Sequence, residues 1–394
     1  MTEQRRDRRT VALSSKAVRT SSTIPEVGGS DVQATTGRQE QRAGYEGGPR
    51  SVMRRALHWI KRGLQVSIIG LLVLAITGSI YQAVATEIDQ RQLGPAPGEM
   101  VSIGNHKLHI NCMGHGSPTV ITESGAPGTS VEWSAWVQPE VAKATRVCAY
   151  ERAGLGWSEA GSEPRDATQI TGELHALLKN ADIPGPYVLV GHSVGGHYAR
   201  VYADRYPEEV AGMVLVDSSH PEQFERIPGY ESSLTRINVM SKAGPVLAAT
   251  GVIRLSGMFP LPPDLPPLQR KQGENLSYQT PYLMAAFKEF DALPETMEQV
   301  HNSQGLGEKP LAVVSTSDHG ASMMADSKAE AVRIEQAAQA LQEELTGLSS
   351  DSTFRIIEGS DHVSVVVNRS HAQQTSEEIL KVVESVRTGQ PLAW

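Results

Sequence analysis

The stretch Tyr187-Val188-Leu189-Val190-Gly191-His192-Ser193-Val194-Gly195-Gly196 decides how this chain folds. Tyr187 to Val190 are β-branched, aromatic and aliphatic residues in an unbroken run, the pattern of a short buried strand. Pro184 and Pro186 bar a helix from running into it. Gly191 to Gly195 then spell G-x-S-x-G, and Gly196 to Tyr206 have helical spacing. A serine at a tight strand-to-helix turn is pushed into a strained, exposed position, and the flanking glycines let the two elements approach closely. The start of the helix leaves backbone N–H groups free to face a developing negative charge. Ser193 is therefore a candidate nucleophile. A glycine-rich turn without chemistry is the alternative, and the strand–turn–helix context weighs against it.

Around this turn, 394 residues are enough for one large domain or two ordinary ones. The net charge of −8 hides a split: residues 1–63 carry 13 Lys and Arg against 6 Asp and Glu, and the remainder 23 against 38. The acidic remainder excludes nucleic acid as the expected partner. No G-x-x-x-x-G-K-[ST], H-E-x-x-H or paired C-x-x-C occurs, so neither a nucleotide, a metal nor any other cofactor is expected. His106 and His109, three apart on a strand, face opposite sides and make a poor ligand pair. Two cysteines, Cys112 and Cys148, are too few for a disulfide scaffold.

Residues 1–63 read as a basic N-terminal tail, with 1–50 too poor in apolar clusters to bury a core. From Leu64 to Ala85 the chain is uncharged and apolar, about 22 residues, enough to cross roughly 30 Å of hydrocarbon as a helix. Arg50, Arg54, Arg55, Lys61 and Arg62 precede it and Arg91 alone follows closely. That asymmetry places the N-terminus in the cytoplasm and everything past residue 86 across the membrane. A signal peptide competes with the anchor: Ala83-Val84-Ala85 fits a cleavage site, which would release a secreted form beginning at Thr86. The anchor is preferred, and a buried core helix is the third possibility.

Residues 86–99, with Pro95 and Pro97, read as a linker. Strands are expected at Met100–Ile103, Lys107–Cys112, Thr119–Glu123, Arg146–Glu151, the elbow strand, Ala211–Asp217, Leu311–Ser315 and Phe354–Ile357. Helices are expected over Val131–Ala142 with a break at Pro139, over Ala167–Asn180, along the stripe Ile334, Ala338, Leu341, Leu345, Leu348, and around Ile379–Val386. Nearly all-apolar strands alternating with helices mean a mostly parallel sheet covered on both faces. Residues 219–308 interrupt that alternation, with Pro245, Pro260, Pro262, Pro263, Pro266 and Pro267 among them and helical patches at Leu234–Val246 and Tyr282–Phe290. We read them as a helical cap between two core segments, 100–218 and 309–394.

Tyr150-Glu151-Arg152-Ala153-Gly154-Leu155-Gly156-Trp157-Ser158, Gly191–Gly196, Leu215-Val216-Asp217 and Gly359-Ser360-Asp361-His362 follow one another in an order that resembles the α/β-hydrolase family over roughly residues 100–390. Glu151 stands where that family more often has Asp. The resemblance implies an eight-stranded sheet and catalytic residues in the order serine, acid, histidine. It points to Ser193 as nucleophile and His362 as base, with His319, His371, His192 and His220 as alternatives. Asp318 is the first choice of acid, after the strand preceding the last, and Asp217, one strand earlier, is the variant position. Asp361 is too close in sequence to His362 to meet it well. The oxyanion donors implied are the backbone N–H groups of Val194 and of Ala126, in the loop Glu123–Gly128. The family's strand order makes the strands of Cys112 and Cys148 neighbours. A disulfide is possible across the membrane, and two free thiols are favoured because sheet geometry admits few such bridges.

The expected protein is a membrane-anchored serine hydrolase acting on a carboxylic ester or related acyl substrate. Its partners are that small molecule and the membrane. An acyltransferase using the same residues and an inactive scaffold of the same fold are the rivals. Dehalogenase and epoxide hydrolase chemistry is disfavoured, because relatives of that kind carry a carboxylate at the nucleophile position.

Overall fold

The computed structural model describes residues 49–392. The tail expected over residues 1–48 lies outside the described residues. Helix α1 runs from Pro49 to Leu93. It therefore takes in residues 49–63, expected in the tail, and 86–93, expected in the linker. Thr86 to Leu93 contain no glycine or proline and are mostly good helix formers, so nothing stops the helix before Gly94. The linker shrinks to five residues. From Gln65 onward the chain forms one compact unit.

Eight strands build the sheet: β1 Glu99–Ser102, β2 Lys107–Met113, β3 Thr119–Glu123, β4 Val147–Tyr150, β5 Tyr187–His192, β6 Val210–Val216, β7 Leu311–Asp318 and β8 Ser352–Asp361. Their order is β1-β2-β4-β3-β5-β6-β7-β8. The first two pairings are antiparallel and the rest parallel. All eight expected strands are present, most within one or two residues of the expected ends. The longer β7 and β8 are the exceptions.

Helices α2 Ser130–Ala135, α3 Val137–Val141, α4 Ala167–Asn180 and α5 Gly195–Arg205 precede the cap. The expected break at Pro139 falls instead at Trp136, whose φ of −137° separates α2 from α3. Pro139 sits in the first turn of α3, where its missing N–H costs no helical hydrogen bond. The cap comprises α6 Gln223–Arg226, α7 Tyr230–Ala249, α8 Val252–Ser256, α9 Pro267–Leu276, α10 Thr280–Asp291 and α11 Leu293–His301. Helices α12 Ala321–Met324, α13 Lys328–Glu344, α14 Ser364–Val367 and α15 Arg369–Thr388 complete the chain.

Because side chains alternate across a strand, each central strand feeds two cores. Ile121, Leu189, Leu215 and Val313 face Leu174, Leu177 and Tyr202 of α4 and α5. Val120, Val190, Val214 and Val314 face Val141 of α3 and Ile379, Val382 and Val383 of α15. This explains the unbroken apolar runs in the sequence. Cys112 and Cys148, favoured above as free thiols, form a disulfide. They are directly opposed on the antiparallel pair β2/β4, with Cα atoms 4.0 Å apart. A facing pair in such a ladder puts both side chains on one side of the sheet within reach of each other.

Candidate active site

β5 ends at His192, Ser193 takes φ +56°, and α5 begins two residues later. A non-glycine residue in this left-handed region persists only where its surroundings over-determine it. Here the Ser193 N–H donates to the Val216 carbonyl at 3.2 Å, tying the turn to β6. Two glycines make the fit possible. A Cβ on Gly196 would lie 1.8 Å from Ser218 Oγ, and one on Gly125 would lie 2.9 Å from Ser193 Cβ.

His362 follows β8. Its Nε2 lies 3.0 Å from Ser193 Oγ, and its Nδ1 lies 2.6 Å from Asp217 Oδ2. The histidine loop is held from two sides. Asp361 accepts from the Val363 and Ser364 N–H groups, and the His362 carbonyl accepts from His192 Nε2 at 2.7 Å. The acid at this histidine is thus Asp217, the variant position, and not Asp318. The reason is register. β5 and β6 are adjacent with His192 opposite Val216, so Ser193 and Asp217 leave the sheet side by side. β7 runs three residues past Ser315 and its register with β8 shifts, which carries Asp318 outward. Asp318 is exposed and accepts from the Gly320 N–H at 2.8 Å, at the rim of the same cleft.

Burial works against charge on Asp217, but hydrogen bonds from His319 and His362 hold its carboxyl well below the usual range. Desolvation likewise opposes the His362 charge, and the Asp217 hydrogen bond outweighs it, leaving the imidazole pKa raised. His192 is pushed down to about 3 by burial and by the neighbouring His362, so it is neutral. It acts as a donor to the loop. His319 bonds Asp217 from the other side, Nε2 to Oδ1 at 3.3 Å. His220 accepts from the Glu222 N–H, and His371 meets Ser364 Oγ at 3.2 Å. No described residue accepts the backbone N–H of Val194 or Ala126.

Arg152, inside a motif quoted above but given no role there, is buried behind the Glu123–Gly128 loop. It donates to the Ser124 and Gly125 carbonyls at 2.7 and 2.8 Å. It also pairs with Glu123 at 3.5 Å and makes a two-point pair with Glu289 of α10, each bond 2.9 Å. One guanidinium therefore holds the loop beside the serine and the cap at once. Sequence reading missed it because Glu289 is 137 residues away. A cleft of about 540 Å³ opens on Ser193, with Ile227, Tyr230, Met323, Met324 and Leu341 on its walls. His106 and His109 are both buried. His109 Nε2 bonds the Pro97 carbonyl and His106 Nδ1 meets Asn105 Oδ1, and the described residues hold no cluster suited to a metal.

A family model described as the alpha/beta hydrolase fold matches residues 118–366, more than half of the chain. The chain belongs to the alpha/beta hydrolase fold family. A putative lipase from Acinetobacter baumannii AYE superposes with a TM-score of 0.55 at 18% identity, over 79% of this chain and 97% of that one. At that identity the likeness shows the fold alone. An uncharacterized protein of Schizosaccharomyces pombe is 32% identical over 152 residues, 31% of this chain and 28% of its own length. An uncharacterized vacuolar membrane protein of Saccharomyces cerevisiae is 30% identical over 134 residues, 30% of this chain and 21% of its own. The matches therefore span less than a third of either relative. In this hydrolase-fold chain the apolar stretch of α1 has a mean hydropathy of 2.0, long and apolar enough to cross a membrane.

Proposed function

We propose that this protein is a membrane-anchored serine hydrolase that cleaves a carboxylic ester or related acyl substrate through an acyl-enzyme on Ser193. The observation that carries the reading is the hydrogen-bonded line Ser193 Oγ, His362, Asp217 at 3.0 and 2.6 Å. A serine hydroxyl is a poor nucleophile at neutral pH and needs a base that an acid holds in place. Ser193 Oγ attacks the carbonyl carbon while His362 Nε2 takes its proton. The Val194 and Ala126 N–H groups receive the oxyanion, each such donor being worth about 10²–10³ in turnover. His362 then protonates the departing alkoxide. Water repeats the sequence and releases the acid.

The arginine excess before α1 supports a cytoplasmic N-terminus and a catalytic domain on the far side of the membrane. The Cys112–Cys148 disulfide supports the same orientation, since such bonds persist in oxidising compartments. A fluorophosphonate probe on the full-length protein tests the chemistry. Labelling that disappears in Ser193→Ala, with turnover of nitrophenyl esters of graded chain length, is the expected result. Folded protein that takes no label would overturn the reading in favour of an inactive scaffold.

A further inference from the structure

The apolar stretch of α1 is mostly exposed, and its upper end, from Gly78 onward, is packed against the cap. A Cβ on Gly78 would lie 2.3 Å from the Thr250 carbonyl oxygen, and Gly251 lies against the Tyr81 ring. One turn further, the Gln82 amide donates to the Tyr278 carbonyl at 2.7 Å and to Thr280 Oγ1 at 3.1 Å. Arg254 of α8 donates to Gln82 Oε1 at 2.9 Å and pairs with Asp89 at 2.7 Å. The cap thus meets α1 where the aliphatic run gives way to Tyr81, Gln82 and Thr86. Leu64 to Tyr81 cover about 27 Å as a helix, close to the thickness of a hydrocarbon layer. A bilayer crossed by that stretch ends at the height of the α7–α8 turn.

At that height the cap shows solvent an apolar face. On α7, Val239, Ala243, Val246 and Ala249 fall within one arc of the helix and all are exposed; Lys242, paired with Asp291 of α10, lies within the same arc. On α8, Val252 and Leu255 are three apart and exposed, Leu255 to 71%, and Met258 follows. No Asp or Glu occurs from Ser232 to Pro263, while Arg236, Lys242 and Arg254 do. No carboxylate on this segment would repel anionic headgroups.

We propose that this face of α7 and α8 lies in the interfacial layer of the same bilayer that α1 crosses, with Val246, Val252 and Leu255 entering the acyl boundary. The proposal rests on reading α1 as a membrane span and goes beyond it. α7 begins at Tyr230, which lines the serine cleft, so the helix resting on lipid starts at the site.

The test is the full-length chain in phosphatidylcholine–phosphatidylglycerol vesicles, with single cysteines introduced as Leu255→Cys, Val246→Cys, Val73→Cys and Ser350→Cys and labelled with an environment-sensitive fluorophore. The native cysteines are bonded to each other, and the parent chain should take no label. Labels at 246 and 255 should shift to the blue and be quenched by lipids spin-labelled near the headgroup. The label at Ser350, exposed on the approach to β8, should not. Behaviour at 246 and 255 like that at 350, with 73 quenched by deep spin labels, overturns the proposal. An unquenched label at 73 overturns the span itself, and the proposal with it.

An independent observation concerns Asp217. The geometry assigns His319 and Glu335 as positioning residues for this carboxylate. Asp217 Oδ2 serves His362, and Oδ1 receives His319 Nε2 at 3.3 Å and Thr316 Oγ1 at 3.3 Å. His319 Nδ1 in turn bonds Glu335 of α13, whose other oxygen accepts the His319 N–H at 3.2 Å. The carboxylate is thus clamped between two imidazoles, one of which never reaches the serine. Burial lowers the His319 pKa, but the bonds to Asp217 and Glu335 carry it up to about 9, so it is charged at neutral pH. The charged and titratable groups facing His362 are Asp217, Glu132, His319 and neutral His192. Those facing His319 are Asp217 and Glu335. A positive His319 lowers the proton affinity of His362 and keeps it a free base at lower pH.

His319→Gln and Glu335→Gln should each lower kcat on a nitrophenyl ester about tenfold with KM little changed. His319→Gln should in addition move the acidic limb of the pH profile to higher pH, since a positive charge facing His362 is lost. Folded variants with an unmoved limb and unchanged kcat would overturn the assignment. Glu335 lies toward the surface, so its variant remains informative should His319→Gln fail to fold. Wild-type protein without turnover would instead overturn the reading of Ser193.

Discussion

Ser193 and Asp217 both carry positive φ, +56° and +39°, at the ends of neighbouring strands. Each such residue costs of order 1–3 kcal/mol, offset by the packing around it. Ser193→Gly should therefore melt higher than Ser193→Ala, by about 1 kcal/mol of stability, and both should lose nearly all turnover. Equal melting temperatures would mean that the turn is unstrained. Between the two candidate acids, Asp217→Asn should cost roughly 10⁴-fold in kcat, because His362 loses the acceptor that fixes its tautomer. Asp318→Asn should stay within a few-fold of wild type, since among the described residues its carboxylate serves only the Gly320 N–H. Comparable losses in both variants would count against the Asp217 line. The base must be neutral to accept the serine proton, and its pKa lies above the ordinary 6.5. Activity should then fall as pH drops through that raised value, placing the acidic limb of kcat/KM above 6.5. A limb below 6 would refute the sign.

At the scale of elements, Arg152 is the joint between loop, sheet and cap. It is buried with Glu123 and Glu289, and the Glu123 carboxyl is pushed up to about 7 by desolvation in spite of the guanidinium. Removing one partner of such a cluster leaves a buried group uncompensated. Arg152→Met should cost roughly 3–5 kcal/mol of stability. Glu289→Gln keeps the hydrogen-bond geometry but loses the charge, so it should fold, labelling at Ser193 more slowly as the Ser124–Gly125 carbonyls loosen. Melting curves and fluorophosphonate labelling rates measure the two effects. An Arg152→Met chain as stable as wild type would show that the joint contributes little. The cap itself predicts specificity: exchanging residues 225–300 should change the preferred ester chain length more than it changes labelling of Ser193.

At the scale of the whole molecule stand the proposed membrane span of α1 and the disulfide. A bridge closing a separation of 36 residues is worth about 4 kcal/mol in the chain-entropy picture. Replacing Cys112 and Cys148 together by serine should lower Tm clearly while leaving Ser193 labelling intact at low temperature. Without reductant, the denatured wild-type chain should react with no maleimide. Protease added to intact spheroplasts should reach residues past 86 and spare residues 1–50, and a catalytic domain recovered in the cytosol would overturn that orientation.

Local patterns were enough for the strands, for α4, for the elbow and for the apolar span, because burial on both faces writes itself as continuous aliphatic runs and helix contact as a 3.6-residue stripe. Ser193 and His362 were legible for the same reason: a strand–turn–helix around a serine and a histidine just past the last strand are short-range signals. The sequence reading put Asp318 ahead of Asp217, whereas it is Asp217 that meets His362. Both follow a strand, and the difference lies in which strand pairs with β5 and how far β7 runs before its register slips. The same holds for Cys112 facing Cys148, for Arg152 reaching Glu289, and for His319 clamping Asp217. Each joins residues tens to more than a hundred positions apart. Only the folded sheet, whose strand order brings distant segments to one edge, sets those distances, and hydrogen bonds and disulfides depend on distance and direction rather than on composition.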